Sequence, residues 1–188
     1  MQLEAAFDAR QRAALSGAAT AGAGHRSRLV AELRTSEGYD CEHVVPRRWF
    51  KTEGDFATAE GDLHHLFTCD RPCNNFRGNV PFWDFPDWEG TGCGKKEGDR
   101  FEPARGKGPA ARAVLYFLLR YPGQIDDLAG ELRAGRIDTL LAWHEREPPA
   151  VYELHRNAAI FARQGNRNPL IDFPAHAQDI PFHLGLGH

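Results

Sequence analysis

The stretch Tyr39-Asp40-Cys41-Glu42-His43-Val44-Val45-Pro46 decides how this chain is read. A carboxylate stands beside a histidine in an apolar run, and a proline closes it. Proline cannot donate to a strand ladder, so residues 39–46 read as a short strand that ends there. Two later stretches answer it: Glu60-Gly61-Asp62-Leu63-His64-His65-Leu66-Phe67 and Asn74-Asn75-Phe76-Arg77-Gly78-Asn79. Residues 62–68 read as a second short strand, and residues 74–79 as one or two helical turns. Residues 47–61, polar and glycine-containing, read as the loop between the strands.

This set of groups suits phosphodiester hydrolysis. A water must lose a proton as it attacks phosphorus, and histidine, with a pKa near neutrality, is a suitable base. The departing oxygen must be stabilised as its charge builds, and such electrostatic stabilisation commonly contributes most to the rate. A divalent cation does this, and magnesium prefers hard oxygen donors while keeping several waters. His43 is therefore the candidate base, with Glu42 and Asn74 as the candidate ligands of Mg2+, or of Mn2+ or Ca2+ in its place. Neighbours on a regular strand point to opposite faces. Glu42 and His43 serve one reaction only if the backbone is irregular there, or if metal and water lie on different sides of the phosphate. The carbonyl of Glu60 or its neighbour is expected to hold His43 Nδ1, leaving Nε2 to accept the proton.

Each piece has a plainer reading. A histidine on an apolar strand is more often a satisfied core residue, and asparagines favour turns for their own backbone hydrogen bonds. Order, spacing and residue type together favour the site.

The rest of the chain fits a soluble globular composition, with 188 residues, 41% hydrophobic and 26% charged. Residues 1–35 look helical. Residues 80–106 lack a sustained period, yet Phe82, Trp83, Phe85 and Trp88 argue for order, with Cys93 tying the segment down. Ala111, Val114, Leu115, Leu118 and Tyr121 follow the spacing of a buried helix stripe. One or two further helices follow over 124–145. A last helix opens after Pro148-Pro149, with Val151, Leu154, Ala158 and Phe161 on one face, and the tail from Ile171 reads as extended. The fold class expected is α+β: a mostly helical single domain over 1–188 with a small two-stranded element over about 39–80 and a helical part over about 107–172.

A net charge of −3 speaks against a general nucleic-acid coat but leaves room for a local basic groove. The four cysteines, Cys41, Cys69, Cys73 and Cys93, fit two disulfides or one four-thiolate zinc site. Only Cys69 and Cys73 are close in sequence, which favours disulfides. No run is long enough for a membrane helix. Met1 to Asp8 lacks the basic and apolar regions of a signal peptide. The expectation is a secreted or periplasmic-type monomer whose leader is absent from this sequence, with a cytoplasmic protein as the alternative.

The order of motifs resembles the bacterial endonuclease I family of non-specific nucleases, which carry a ββα-metal (His-Me finger) site. The matching stretches are CEHVVPRRWF (41–50), EGDLHHLF (60–67), NNFRGNVPF (74–82), FEPARGKGPAARAVLYFLLRY (101–121) and RNAAIFARQGNRNPLID (156–172). The resemblance implies cleavage of DNA and RNA to 5′-phosphate ends, with Glu42 and Asn74 on the metal and His43 as base. It implies that Asp62 and His64 buttress the catalytic site, and that Arg77 and Asn79 orient the finger or touch phosphate. Arg47 and Arg48 are the nearest candidates for an arginine that holds the cleaved phosphate. Arg112 and Tyr116 fall on a matching helix, and Arg167 in a matching late motif is a phosphate contact or a support. Two other readings stay open: a selective HNH-type effector nuclease inside the cell, and a zinc-stabilised nucleic-acid-binding module.

Overall fold

The computed structural model describes residues 38–51, 56–128 and 130–187. The helical expectation for residues 1–35 lies outside them. Strand β1 (Tyr39–His43) pairs antiparallel with β2 (Leu66–Asp70), with Asp40 opposite Cys69, Glu42 opposite Phe67 and His43 opposite Leu66. Between them lie a 3-10 turn at Arg47–Trp49, helix α1 (Phe56–Glu60) and a second 3-10 turn at Leu63–His65. The expected loop is thus partly helical, and it sinks Trp49, Phe50 and Ala59 into the core. The second strand starts at Leu66 instead of Asp62. Asp62 caps the preceding turn by accepting the His64 N–H, the local bond that aspartate offers in competition with a ladder.

Helix α2 (Arg71–Arg77) leaves β2 at once, with proline in its first turn, where the missing N–H costs nothing. Gly78 ends it at a φ of 61°, a conformation that suits glycine, and donates its N–H to the Asn74 carbonyl at 2.9 Å. The expected irregular segment holds a hairpin, β3 (Gly94–Glu97) with β4 (Arg100–Pro103). Alternation is weak in β3, because three of its four residues are Lys, Lys and Glu, so its period did not register in the sequence. The buried Glu102 holds the start of this segment by accepting the Phe85 N–H and the Lys107 ammonium.

Helix α3 (Lys107–Arg120) runs through the core, and Ala111 to Leu118 are buried on every side. After the short β5 (Ile125–Asp126), helix α4 (Ile137–Arg146) packs on α3 through Leu140 and Trp143. Helix α5 (Val151–Gln164) corrects the expected inner face. Val151, Leu154 and Phe161 are exposed, and the buried residues are Glu153, Arg156, Asn157 and Ile160. Each polar one has a partner from elsewhere. Glu153 takes a two-pronged bond from Arg112, Arg156 donates to the Leu63 and Leu66 carbonyls, and Asn157 pairs with the Asn168 backbone. The tail is not extended. It forms α6 (Pro169–Asp172), two 3-10 turns and β6 (Leu186–Gly187), which pairs in parallel with β5. The architecture is α+β, rich in helix, with small two-stranded sheets.

Candidate active site

Strand period and helix period meet where α2 crosses β1. Asp40 and Glu42, two apart on β1, share one face of the ribbon. Asn74 and Arg77, three apart on α2, share the face turned to it. The rows match: the Asn74 amide donates Nδ2–H to Asp40 Oδ2 at 3.3 Å, and Arg77 donates to Glu42 Oε1. Arg77 is 4% exposed, donates also to the Val44 and Val80 carbonyls, and lies on the Phe82 ring at 4.2 Å. It therefore orients Glu42 from inside the fold, with no guanidinium face left for solvent. Burial pushes the Glu42 carboxyl above the usual range, Arg77 pulls against that, and Asp40 adds to the push.

His43 closes β1 on the other face, half buried, its ring 5.6 Å from that of His65. Nε2, the nitrogen expected to take up the proton, is enclosed by protein. The carbonyl of Ala59, next to Glu60, takes a bond from His65: His65 Nε2–H donates to Ala59 O at 2.8 Å. A carbonyl only accepts, so this bond fixes the His65 tautomer. Burial pushes His65 down to about 4, so it is a neutral packing partner set among Phe50, Phe117 and His43. The Glu60 side chain pairs with Arg47 at 2.6 Å.

A separate cluster lies behind the ribbon. Asp62, 1% exposed, accepts the His64 N–H at 2.9 Å and Gln164 Nε2 at 2.7 Å. It also accepts the hydroxyls of Tyr116 at 2.7 Å and Tyr121 at 2.8 Å. Burial alone would raise this carboxyl, but the bonds from Gln164, His64 and Tyr116 outweigh it and hold it below the usual range. His64 is sealed in the same cluster, its Nε2 bonded to the Asn166 carbonyl at 3.1 Å and its ring against Tyr116. The geometry gives His64 a supporting place away from solvent.

Of the other site candidates, Arg48 is exposed, and Asn79 is exposed with its carbonyl taking Trp49 Nε1–H at 3.1 Å. Arg167 forms a two-pronged bond with Asp172 at 2.7 and 2.6 Å, and that bond raises its pKa. Arg112 is internal, held by Glu153 and the Glu147 carbonyl. Cys73 and Cys93 form a disulfide that ties α2 to the hairpin segment. Cys41 and Cys69 keep their thiols. Cys41 faces Thr68 and Cys69 faces Asp40, so the two point to opposite sides of the ribbon and cannot join, against the expectation of two disulfides. The bridge also removes two sulfurs from any four-thiolate zinc site. Among the described residues no three His, Cys, Asp or Glu side chains converge as a metal cage. None of the described helices is long and apolar enough to cross a membrane.

Sequence reasoning missed Asp40 and His65. The signal for Asp40 was its two-residue offset from Glu42 on a strand. His65 had none, because its role depends on the helical turn that brings up Ala59.

Comparison with known proteins places these elements in context. The family model for Endonuclease I matches residues 20–175. An extracellular ribonuclease of Bacillus subtilis (strain 168) is 36% identical over 159 residues, covering 74% of this chain and 52% of that protein. An extracellular deoxyribonuclease of Aeromonas hydrophila is 31% identical over 168 residues, covering 75% of this chain and 69% of that protein. A periplasmic deoxyribonuclease of the same organism is 33% identical over 157 residues, covering 70% and 62%. The chain thus spans about half the length of the Bacillus relative, at 52%.

Proposed function

We infer, on the premise that this chain belongs to the Endonuclease I family, that it is a metal-dependent endonuclease cutting DNA and RNA without sequence preference. The products carry 5′-phosphate ends. The observation that carries this reading is the matched pair of rows, Asp40 and Glu42 on β1 beneath Asn74 and Arg77 on α2, with His43 next in the chain.

The donor set fits Mg2+, with Mn2+ or Ca2+ as substitutes. Arg77 holds Glu42 Oε1, which leaves Oε2, and Asn74 offers an amide oxygen. Two hard oxygen donors and several waters suit magnesium. When bound, the cation supplies positive charge to the scissile phosphate and the departing 3′ oxygen.

His43 removes a proton from the attacking water. Its imidazole, half buried at the end of β1, is the acceptor proposed for that transfer. The water oxygen bonds to phosphorus as the bond to the 3′ oxygen breaks, and that oxygen takes a proton from solvent. In-line displacement sets the attacking and leaving oxygens on opposite sides of phosphorus. The opposite facing of Glu42 and His43 on β1 suits that division: the base on one side, the ligand on the other. Arg48, exposed beyond the strand, and Arg47, steadied by Glu60, are the arginines proposed to hold phosphate. Contacts limited to phosphate carry no base information, which accounts for the absence of sequence preference.

Relatives named ribonuclease and deoxyribonuclease support both substrates. Their extracellular and periplasmic names, with the Cys73–Cys93 bridge, support an oxidising compartment. The test is digestion of supercoiled plasmid and of a structured RNA, with Mg2+ and with EDTA, by wild type and His43→Ala. The expected result is an EDTA-sensitive smear from both substrates that the variant does not produce. Discrete fragments would favour a selective nuclease, and cleavage by the variant at the wild-type rate would remove His43 as base.

A further inference from the structure

An asparagine can hold a cation only with the correct end of its amide. Its oxygen and its NH2 group are almost the same size, so packing chooses poorly between them, while their charges are opposite. With NH2 turned inward, Asn74 would repel the ion that Glu42 attracts. Something must select the oxygen.

Asp40 is the group in a position to do so. It lies on the Glu42 face of β1, one strand repeat away. Its carboxylate is itself anchored, since Oδ1 accepts the Cys41 N–H at 2.9 Å. Oδ2 then meets the Asn74 amide at 3.3 Å. An ionised carboxylate only accepts, so it takes the NH2 end. We propose that Asp40 is a positioning residue, which holds the Asn74 amide so that Oδ1 faces the cation shared with Glu42. The inference rests on the metal site proposed above and adds a residue to it.

The chemistry of the alternatives sharpens the idea. Asp40→Asn conserves shape but leaves one acceptor oxygen for two donors. If that oxygen keeps the Cys41 N–H, the new NH2 group faces Asn74, which must flip to meet it. The flip would present Asn74 NH2 to the ion. Loss of a hydrogen bond that orients a metal ligand commonly costs about 10–100-fold in metal affinity. Loss of a nearby negative charge also weakens cation binding, but salt screens that effect, whereas it does not restore a flipped amide.

The experiment is calorimetric titration of the nucleic-acid-free protein with Mn2+ alone, at low and high ionic strength. Wild type, Asp40→Asn, Asp40→Ala, Glu42→Ala and Asn74→Ala are compared, with a thermal melt of each as a check on folding. The expected result is Mn2+ binding by wild type and a loss of about 10–100-fold in both Asp40 variants, undiminished at high salt. The Asn74 side-chain amide cross-peak in the 1H–15N spectrum of the metal-free protein should also move in Asp40→Asn, which reads the orientation without any ion. If the Asp40 variants bind like wild type while Glu42→Ala and Asn74→Ala bind weakly, the positioning role fails and the metal site stands. A loss that high salt abolishes makes Asp40 a charge and overturns the orienting role. If Glu42→Ala and Asn74→Ala also bind like wild type, the site and the inference fall together.

Discussion

Glu42 and Asp62 are both buried carboxylates, and their surroundings are opposite. Asp62 receives four donors, and its carboxyl is held below the usual range against the cost of burial. Glu42 has Arg77 on one oxygen and another acid, Asp40, nearby, and burial leaves its carboxyl above the usual range. A satisfied carboxylate organises the chain around it; one that is short of positive charge has room for a cation. Asp62 joins three distant stretches, the turn at Leu63–His65, helix α3 through Tyr116, and the end of α5 through Gln164. Glu42 lies where the ribbon meets α2. The contrast predicts that loss of Asp62 damages the fold and loss of Glu42 damages ion binding.

The largest expected effect sits at neither acid. His43→Ala should cut the rate about 100- to 10,000-fold, the usual contribution of a positioned base, with the melting temperature little changed. Steady-state cleavage and a melt of the same preparation check both halves. Next is the comparison itself. Asp62→Asn should destabilise the protein by about 3–5 kcal/mol in urea denaturation, because it places an amide donor against donors already there. Glu42→Gln leaves the buried Arg77 without its charge partner and should cost a comparable amount, about 3–5 kcal/mol, so the two variants are separated by Mn2+ binding, lost in Glu42→Gln and kept in Asp62→Asn. Equal Mn2+ affinities would erase the distinction.

The disulfide gives a third handle. Replacing Cys73 and Cys93 by serine together should cost about 2–4 kcal/mol, and should weaken Mn2+ binding because Cys73 adjoins Asn74. Unchanged Mn2+ affinity would show that α2 holds its place without the bridge. The smallest effect is in acid. His65 stays neutral in the fold, with its pKa pushed down by burial to about 4, while the unfolded chain binds a proton near pH 6.5. Between those values the unfolded state carries more protons, so stability rises with pH and is lost on acidification, by at most about 3 kcal/mol. Denaturation of wild type and His65→Phe from pH 7 to 4 should show a flatter curve in the variant.

Much of this was legible in the sequence, and the limits have physical causes. The α3 stripe was legible because apolar residues at helical spacing have one dominant use, and Ala111, Val114, Leu115 and Leu118 are buried as expected. The α5 face was misread because its inward residues, Glu153, Arg156 and Asn157, are polar. Their burial depends on partners 41, 90 and 11 residues away, which no local period records. The α+β class and the ribbon were legible from the apolar runs, while the start of β2 was not, because Asp62 caps a turn. Glu42, His43 and Asn74 stood out through motif order. The inward turn of Arg77 did not, because sequence does not tell a buried arginine from a phosphate-binding one.

The most direct test of the central claim is the melting temperature of the nucleic-acid-free protein as Mg2+ is raised, in wild type and in Glu42→Gln. A ligand that binds only the folded state stabilises it in proportion to the logarithm of its excess over Kd. The account predicts a Mg2+-dependent rise in wild type and a flat response in the variant. The same rise in both would mean that the ion, if it binds, does not use Glu42, and the contrast between the two carboxylates would lose its functional meaning.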